Sequence, residues 1–263
     1  LLAEPKSRLC VSIVVVGNEV LSGKVVEQNA AFLIGRLKTL GARVCEVVFV
    51  EDDVYAIAEA MARVMARSDE VLVTGGIGPT HDDVTIQAAA QALGVPVVED
   101  GELLAQIARL GLKRGVETAR EGRELTPGER RLARVPAGAK LHWAVRTGGE
   151  GVLPWPVARA ANMWLFPGVP PLMQALFDGL KTHFSGSPPL FADALELTIE
   201  EAVICEALDA IVATHVAVEI GSYPRREANV WHLRLTFESP DAAATVAAVL
   251  AARTAFQAYL ARA

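Results

Sequence analysis

The spacing of apolar residues changes period several times along the chain, and each change marks an element. Residues 9–16, LCVSIVVV, form a nearly continuous, β-branched apolar run that stops at Gly17. A strand covered on both faces of a parallel sheet reads this way. Apolar positions then move to helical spacing at Phe32, Leu33, Leu37 and Leu40, with Asn29 placed to cap the start and Gly41 to stop the end. Residues 44–50 read as a second strand. Ile57, Ala58, Met61, Val64 and Met65 form the stripe of a second helix, whose methionines read as core and not as a ligand surface. Residues 71–73 are a short buried strand, and residues 84–93 are a helix ended by Gly94. Strand and helix alternating three times predict right-handed crossovers and an α/β domain built on a parallel sheet.

Helical spacing continues over residues 103–110. Residues 114–134, rich in Glu and Arg, read as an exposed helix and mobile loop: a solvated face first, a substrate contact second. Residues 141–166 hold extended segments broken by a hairpin turn at 147–151, and a helix follows over about 172–182. The stretch SGSPP at 185–189 marks a domain boundary. The chain thus divides into a tail (1–8), an α/β domain (9–185) and a small domain (190–263). The small domain reads as strand 194–199, helix 201–213, strands near 216–220 and 231–237, and an alanine-rich helix from Pro240. This β-α-β-β-α order is a KH-like α+β unit, but it lacks the G-x-x-G that clamps an RNA backbone. Packing, not RNA binding, is the expected role.

Charge supports that exclusion. Lys and Arg number 25 against 31 Asp and Glu, a formal net charge of -6, which disfavours a nucleic-acid partner. Cys10, Cys45 and Cys205 are far apart, odd in number and without C-x-x-C spacing, so the expectation is buried thiols in a reducing cytoplasm. No apolar stretch is long enough to cross a bilayer. An apolar helix face at Val246–Leu250 could serve a homo-oligomer.

Candidate chemistry concentrates in TGGIGPTHDD, residues 74–83, between a parallel strand and a helix. Gly75, Gly76 and Gly78 let backbone N–H groups approach an anion, and the following helix adds its positive end. The loop lacks the Gly-Lys-Ser/Thr of a Walker cradle and the G-x-G-x-x-G of a dinucleotide fold. Asp82-Asp83 stand in place of the lysine. Paired carboxylates beside a phosphate repel it unless a cation lies between, the common arrangement for Mg²⁺. The bland alternative is a tight turn with Asp82 as helix cap.

Gly17-Asn18-Glu19-Val20-Leu21-Ser22-Gly23, then Asn29, then GGIGPTHDDVT resemble the molybdopterin-binding domain of molybdenum-cofactor biosynthesis proteins. The similarity is closer to the pyrophosphatase portion of competence-damage-inducible protein A and to the N-terminal domain of eukaryotic FAD synthase. RVPAGAKL, LFPGVP and EIGSYP are similar to later motifs of that subgroup. The resemblance implies a divalent-metal-dependent hydrolase (Mg, Mn or Co, with K assisting) that splits the diphosphate of ADP-ribose or FAD. By motif position, Gly75, Gly76, Gly78 and Thr80 would hold phosphate, with Asn29 in support. Asp82 and Asp83 would bind metal, and Asp83, Asp82 and Glu19 would serve catalysis. Many relatives have Gly-Asp-Glu where this chain has Asn18, so one ligand charge is missing and an amide able to donate to phosphate takes its place. A non-catalytic module binding molybdopterin or a nucleotide cofactor is therefore the alternative. The chain ends without a deamidase or adenylyltransferase domain, so neither activity is expected.

Overall fold

The structure, a computed structural model, describes residues 8–113, 124–185 and 190–261. Its contacts divide the chain into two compact units, Leu1–Ser187 and Pro188–Ala263.

The first unit is a three-layer α/β domain. Its elements run β1 (Cys10–Val16), α1 (Asn18–Leu21), α2 (Asn29–Thr39), β2 (Arg43–Val50), α3 (Val54–Met65), β3 (Glu70–Thr74), α4 (Thr85–Leu93), β4 (Val97–Glu99) and α5 (Gly101–Lys113). After these come α6 (Pro127–Leu132), β5 (Arg134–Pro136), β6 (Lys140–Val145), β7 (Val152–Ala160), β8 (Met163–Phe166) and α7 (Pro170–Leu180). Six strands form one sheet in the order β2-β1-β3-β8-β7-β6, parallel from β2 to β8 and antiparallel at β7 and β6. The chain leaves β1 for β2 on one side and then crosses to β3 on the other. Order reversal of this kind opens a crevice at the carboxyl ends of β1 and β3, where open α/β sheets bind ligands.

The apolar run of β1 is explained by burial on both faces. Val14 and Val16 join Ile57 and Met61 of α3, Ala88 of α4 and Leu103 of α5 in one core. Val11, Ile13 and Val15 face Leu33 and Leu37 of α2 and Met173, Leu176 and Phe177 of α7 in the other. Alternation along a strand sends neighbours to opposite faces, and each fully buried aliphatic side chain contributes about 1.5–3 kcal/mol. Met61 is fully buried, as core.

Several expectations are corrected. Asn29 does not cap α2; it is the first helical residue, Gln28 precedes it, and the Glu27 carboxylate instead accepts from Ala30 N at 2.8 Å. Asp82 does not cap α4, which starts after Val84 with no side-chain cap. Cys10 and Cys45 are not free buried thiols but a disulfide, Cα–Cα 5.8 Å, and Cys205 is exposed. They are 35 residues apart, yet the parallel pairing of β1 with β2 sets them side by side. Spacing rules see only local neighbours; a parallel pair joins residues across a whole crossover. Within the 114–134 stretch, residues 114–123 lie outside the described part, while the remainder folds as α6 and the start of β5. A Thr126–Glu129 capping box starts α6.

At the end of the sheet away from the glycine loop, His142 of β6 lies against Trp164 at 4.7 Å and His183 at 5.2 Å between ring centroids. Its Nε2 is buried without a hydrogen-bond partner among the described residues. Burial, then the nearby His183, Arg159 and Lys140, hold its imidazole below the usual histidine range. The folded protein therefore resists protonation more than the unfolded chain does. The sign follows: stability is full above about pH 6.5, the unfolded value, and falls as pH drops from there toward the depressed folded value. Urea unfolding between pH 7.5 and 5.5 is expected to show this slope and to lose it in His142→Phe; an equal slope in both proteins would refute it.

The second unit comprises β9 (Phe191–Leu197), α8 (Glu201–Thr214), β10 (Glu219–Glu227), β11 (Val230–Ser239) and α9 (Ala242–Ala255). Its antiparallel sheet has the order β10-β11-β9, and Leu195, Leu197, Leu233, Leu235 and Phe237 meet Ile204 of α8 and Ala248 of α9 in its own core. Asp241 caps α9 through Ala243 N and Ala244 N at 2.8 and 3.1 Å. The β10 strand begins later and runs much farther than the expected 216–220, through Gly221 and Pro224. An edge strand tolerates both residues, because its outer N–H groups need no ladder partner. Val246 and Leu250 lie on the exposed side of α9. Among the described residues no helix is long and apolar enough to cross a membrane.

Candidate functional site

The loops after β1 and β3 meet at the switch point. Gly75 continues β3 with φ +101° and Gly76 turns with φ +65°. Both glycines are needed for contact as well as conformation: a Cβ on Gly75 would lie 2.2 Å from Val16 O, and one on Gly76 would lie 2.3 Å from Thr85 Oγ1. The buried Thr85 hydroxyl donates to Gly75 O at 2.8 Å, and Thr85 N donates to Gly76 O at 3.0 Å. The first residue of α4 is thereby bolted to the glycine turn.

Asn29 supports the loop from behind. It is buried, and its Nδ2 donates to Thr74 Oγ1 at 3.0 Å and to Gly168 O at 2.8 Å. Thr74 Oγ1 in turn donates to Pro167 O at 3.1 Å. This chain of bonds ties α2, β3 and the loop after β8 together, so Asn29 acts on the site by holding its frame. Its Oδ1 is buried without a hydrogen-bond partner among the described residues.

A cavity of about 510 Å³ opens over the turn, lined by Glu19, Gly75, Gly76, Ile77, Gly78 and Asp83 on one side. Leu132, Trp155, Val169 and Leu172 form an apolar wall on the other. Sequence reasoning missed that wall. Its members come from α6, β7, the residue before α7 and α7 itself, and only Val169 stood in a quoted motif, LFPGVP.

The two aspartates differ in position. Asp83 lines the cavity, accepts from Thr80 N at 2.8 Å through Oδ2, and sits so close to Gly78 that a Cβ there would be 2.6 Å from it. Asp82 is exposed and lines no cavity described here. The Thr80 hydroxyl lies between them, 2.6 Å from Asp82 Oδ1 and in contact with Asp83 Oδ2. It carries one proton, so two carboxylates compete for it. The Thr80 hydrogen bond, followed by a backbone one, holds the Asp82 carboxyl below its usual range. Glu19 folds back over Gly17 and faces the cavity. Asn18 does not join it: its backbone N donates to Asp52 Oδ2 at 2.8 Å and its Oδ1 accepts from Asp52 N at 3.4 Å.

Among the described residues no three His, Cys, Asp or Glu side chains are grouped as a closed metal cage. An open site of one or two carboxylates is the other way a divalent cation is held. Asp83 and Glu19 present carboxylates to one cavity, beside backbone positions suited to phosphate, and Mg²⁺ commonly takes one or two carboxylates with its remaining places filled by phosphate oxygens and water.

Residues 12–187 match the family described as "Probable molybdopterin binding domain", and residues 189–262 match "FAD synthase, middle domain". A protein of Pyrobaculum aerophilum is 35% identical over 227 residues, covering 81% of this chain and 79% of its own length. A probable FAD synthase of Caenorhabditis briggsae is 28% identical over 251 residues; the match covers 89% of this chain but 47% of that protein. Among solved structures, a CinA protein of unknown function from Thermoplasma acidophilum superposes with a TM-score of 0.56 at 29% identity, covering 67% of this chain and 98% of that one.

Proposed function

The chain belongs to the family of probable molybdopterin-binding domains, and from that premise we propose that it hydrolyses the diphosphate of a nucleotide of the ADP-ribose or FAD type with a divalent cation. The observation that carries this reading is the placement of Asp83. It stands where the glycine turn, the Glu19 carboxylate and the apolar wall face one cavity. The turn's backbone would receive phosphate oxygens, and Trp155 and Leu172 would cover a flat ring. Asp83 and Glu19 would hold the cation, which supplies charge neutralisation and a more acidic water. Asp83 would also orient the attacking water. That oxygen bonds to one phosphorus as the bridging P–O bond breaks with its electron pair on the departing phosphate, and the water proton passes through Asp83 to solvent. Positioning and charge stabilisation supply the rate. No nucleophilic side chain is required.

The test is AMP release from ADP-ribose, FAD and related dinucleotides with Mg²⁺, Mn²⁺ or Co²⁺, with and without K⁺. Metal-dependent AMP formation from at least one of them is expected. A second reading has its own observation: Asn18 pairs with Asp52 and adds no charge to the cavity. Under that reading the protein binds molybdopterin or a nucleotide cofactor without cleaving it. Tight calorimetric binding with no AMP released under any metal would select it.

A further inference from the structure

Beside the main cavity lies a smaller one of about 160 Å³, and Gly78 and Asp83 line both. The far side of the smaller cavity is cationic: Arg131 of α6 and Arg134 of β5 line it, with His81 and Thr80 of the loop. Arg131 also grips the loop, its Nη1 donating to Pro79 O at 3.2 Å. The arrangement around Arg134 is the informative part. Strands β4 and β5 pair antiparallel with Glu99 directly opposite Arg134, where an acid and a base would ordinarily neutralise each other. Glu99 is taken instead by Arg130, whose Nε lies 3.2 Å from Oε1 and whose Nη2 contacts Oε2. Arg134 is half-buried and has neither an ion pair nor a side-chain hydrogen bond among the described residues. A guanidinium cannot shed its charge, and removing it from water without a partner is costly. The fold keeps the cross-strand carboxylate occupied and leaves this cation lining the cavity beside the loop.

We propose that Arg131 and Arg134 form a second phosphate seat, so that a bound diphosphate straddles Asp83 with one phosphate on the glycine turn and the other on the arginines. This rests on the reading of the main cavity as a diphosphate site and assigns the substrate's second phosphate. Guanidinium groups recognise phosphate through paired, charge-assisted hydrogen bonds. They also accept the extra negative charge that a phosphate gains as it departs, so the seat would stabilise the leaving side of the reaction. Gly78 lines both cavities, and a Cβ there would lie 2.6 Å from the Asp83 carboxylate, so a side chain at this position would push that carboxylate aside.

The experiment titrates pyrophosphate with Mg²⁺ into the full chain by calorimetry and measures AMP release in parallel. Wild type is expected to bind; Arg134→Gln and Arg131→Gln are each expected to weaken binding about tenfold or more, the scale of a lost charged hydrogen bond. Arg134→Lys should recover part of the loss, and Arg146→Gln, on the β6–β7 hairpin, should match wild type. Thermal melts establish that each variant is folded. Absence of pyrophosphate binding by wild type overturns the proposal, as does wild-type affinity in both glutamine variants. Failure of the two readings is separable. Release of AMP by wild type with undiminished glutamine variants removes the arginine seat and leaves the hydrolase. Arginine-dependent pyrophosphate binding with no AMP release removes the hydrolase and leaves the seat.

Discussion

Asp83→Asn is expected to lower turnover about 100-fold or more, a loss on the order of 3 kcal/mol of charge stabilisation. The substitution keeps size and keeps an acceptor for Thr80 N, the bond at 2.8 Å. It removes the charge that faces the cavity between the glycine turn and Glu19. Stability should change by no more than about 1 kcal/mol, because the one hydrogen bond involved can re-form. Asp82→Asn is expected to do less. That side chain is exposed outside the cavity, and its link to the site runs through the Thr80 hydroxyl. The sequence reading places Asp83 ahead of Asp82 for catalysis, and the cavity-facing position of Asp83 supports that order. Steady-state AMP release from the two variants, with thermal melts as the folding control, checks the ranking. Undiminished turnover in Asp83→Asn would return the loop to a purely structural role.

Gly75→Ala is expected to destabilise the first unit by roughly 3 kcal/mol or more. Positive φ costs an L-residue about 1–2 kcal/mol by itself. Here the added methyl would also stand 2.2 Å from Val16 O, a backbone atom at the end of the central strand β1. No flexible side chain can yield, so either β1 or β3 must move, and severe losses of this kind have a steric cause. Gly148→Ala serves as the comparison, since Gly148 has φ +74° but nothing within 4 Å of an added Cβ; it should lose only the conformational part. Urea unfolding of the two variants measures the difference. Equal, small losses would mean that the close approach of Gly75 to Val16 O does not govern the turn. Ligand affinity should fall with Gly75→Ala as well, because the backbone that would meet phosphate is the backbone that shifts.

What the sequence determined by itself was what local chemistry dictates. The β-branched run of residues 9–16, the helical stripe from Ile57 to Met65 and the stop at Gly94 each depend on residues a few positions apart. All three appear in the fold as β1, α3 and the left-handed end of α4. The GGIGPTHDD loop was legible for the same reason: its glycines, proline and acids are consecutive, so their joint chemistry needs no fold to assemble it. Tertiary structure decided whatever depends on residues brought together from afar. Parallel pairing of β1 and β2 joined Cys10 to Cys45. Tertiary packing at the start of α2 turned Asn29 from an expected cap into a bridge between Thr74 and Gly168. The wall at Leu132, Trp155 and Leu172, and Arg134, which has no ion pair among the described residues, belong to elements that only the folded chain sets beside the loop. Period and composition report which face of an element is buried; they carry no information on which distant face it meets, because that choice is made by packing the whole core at once.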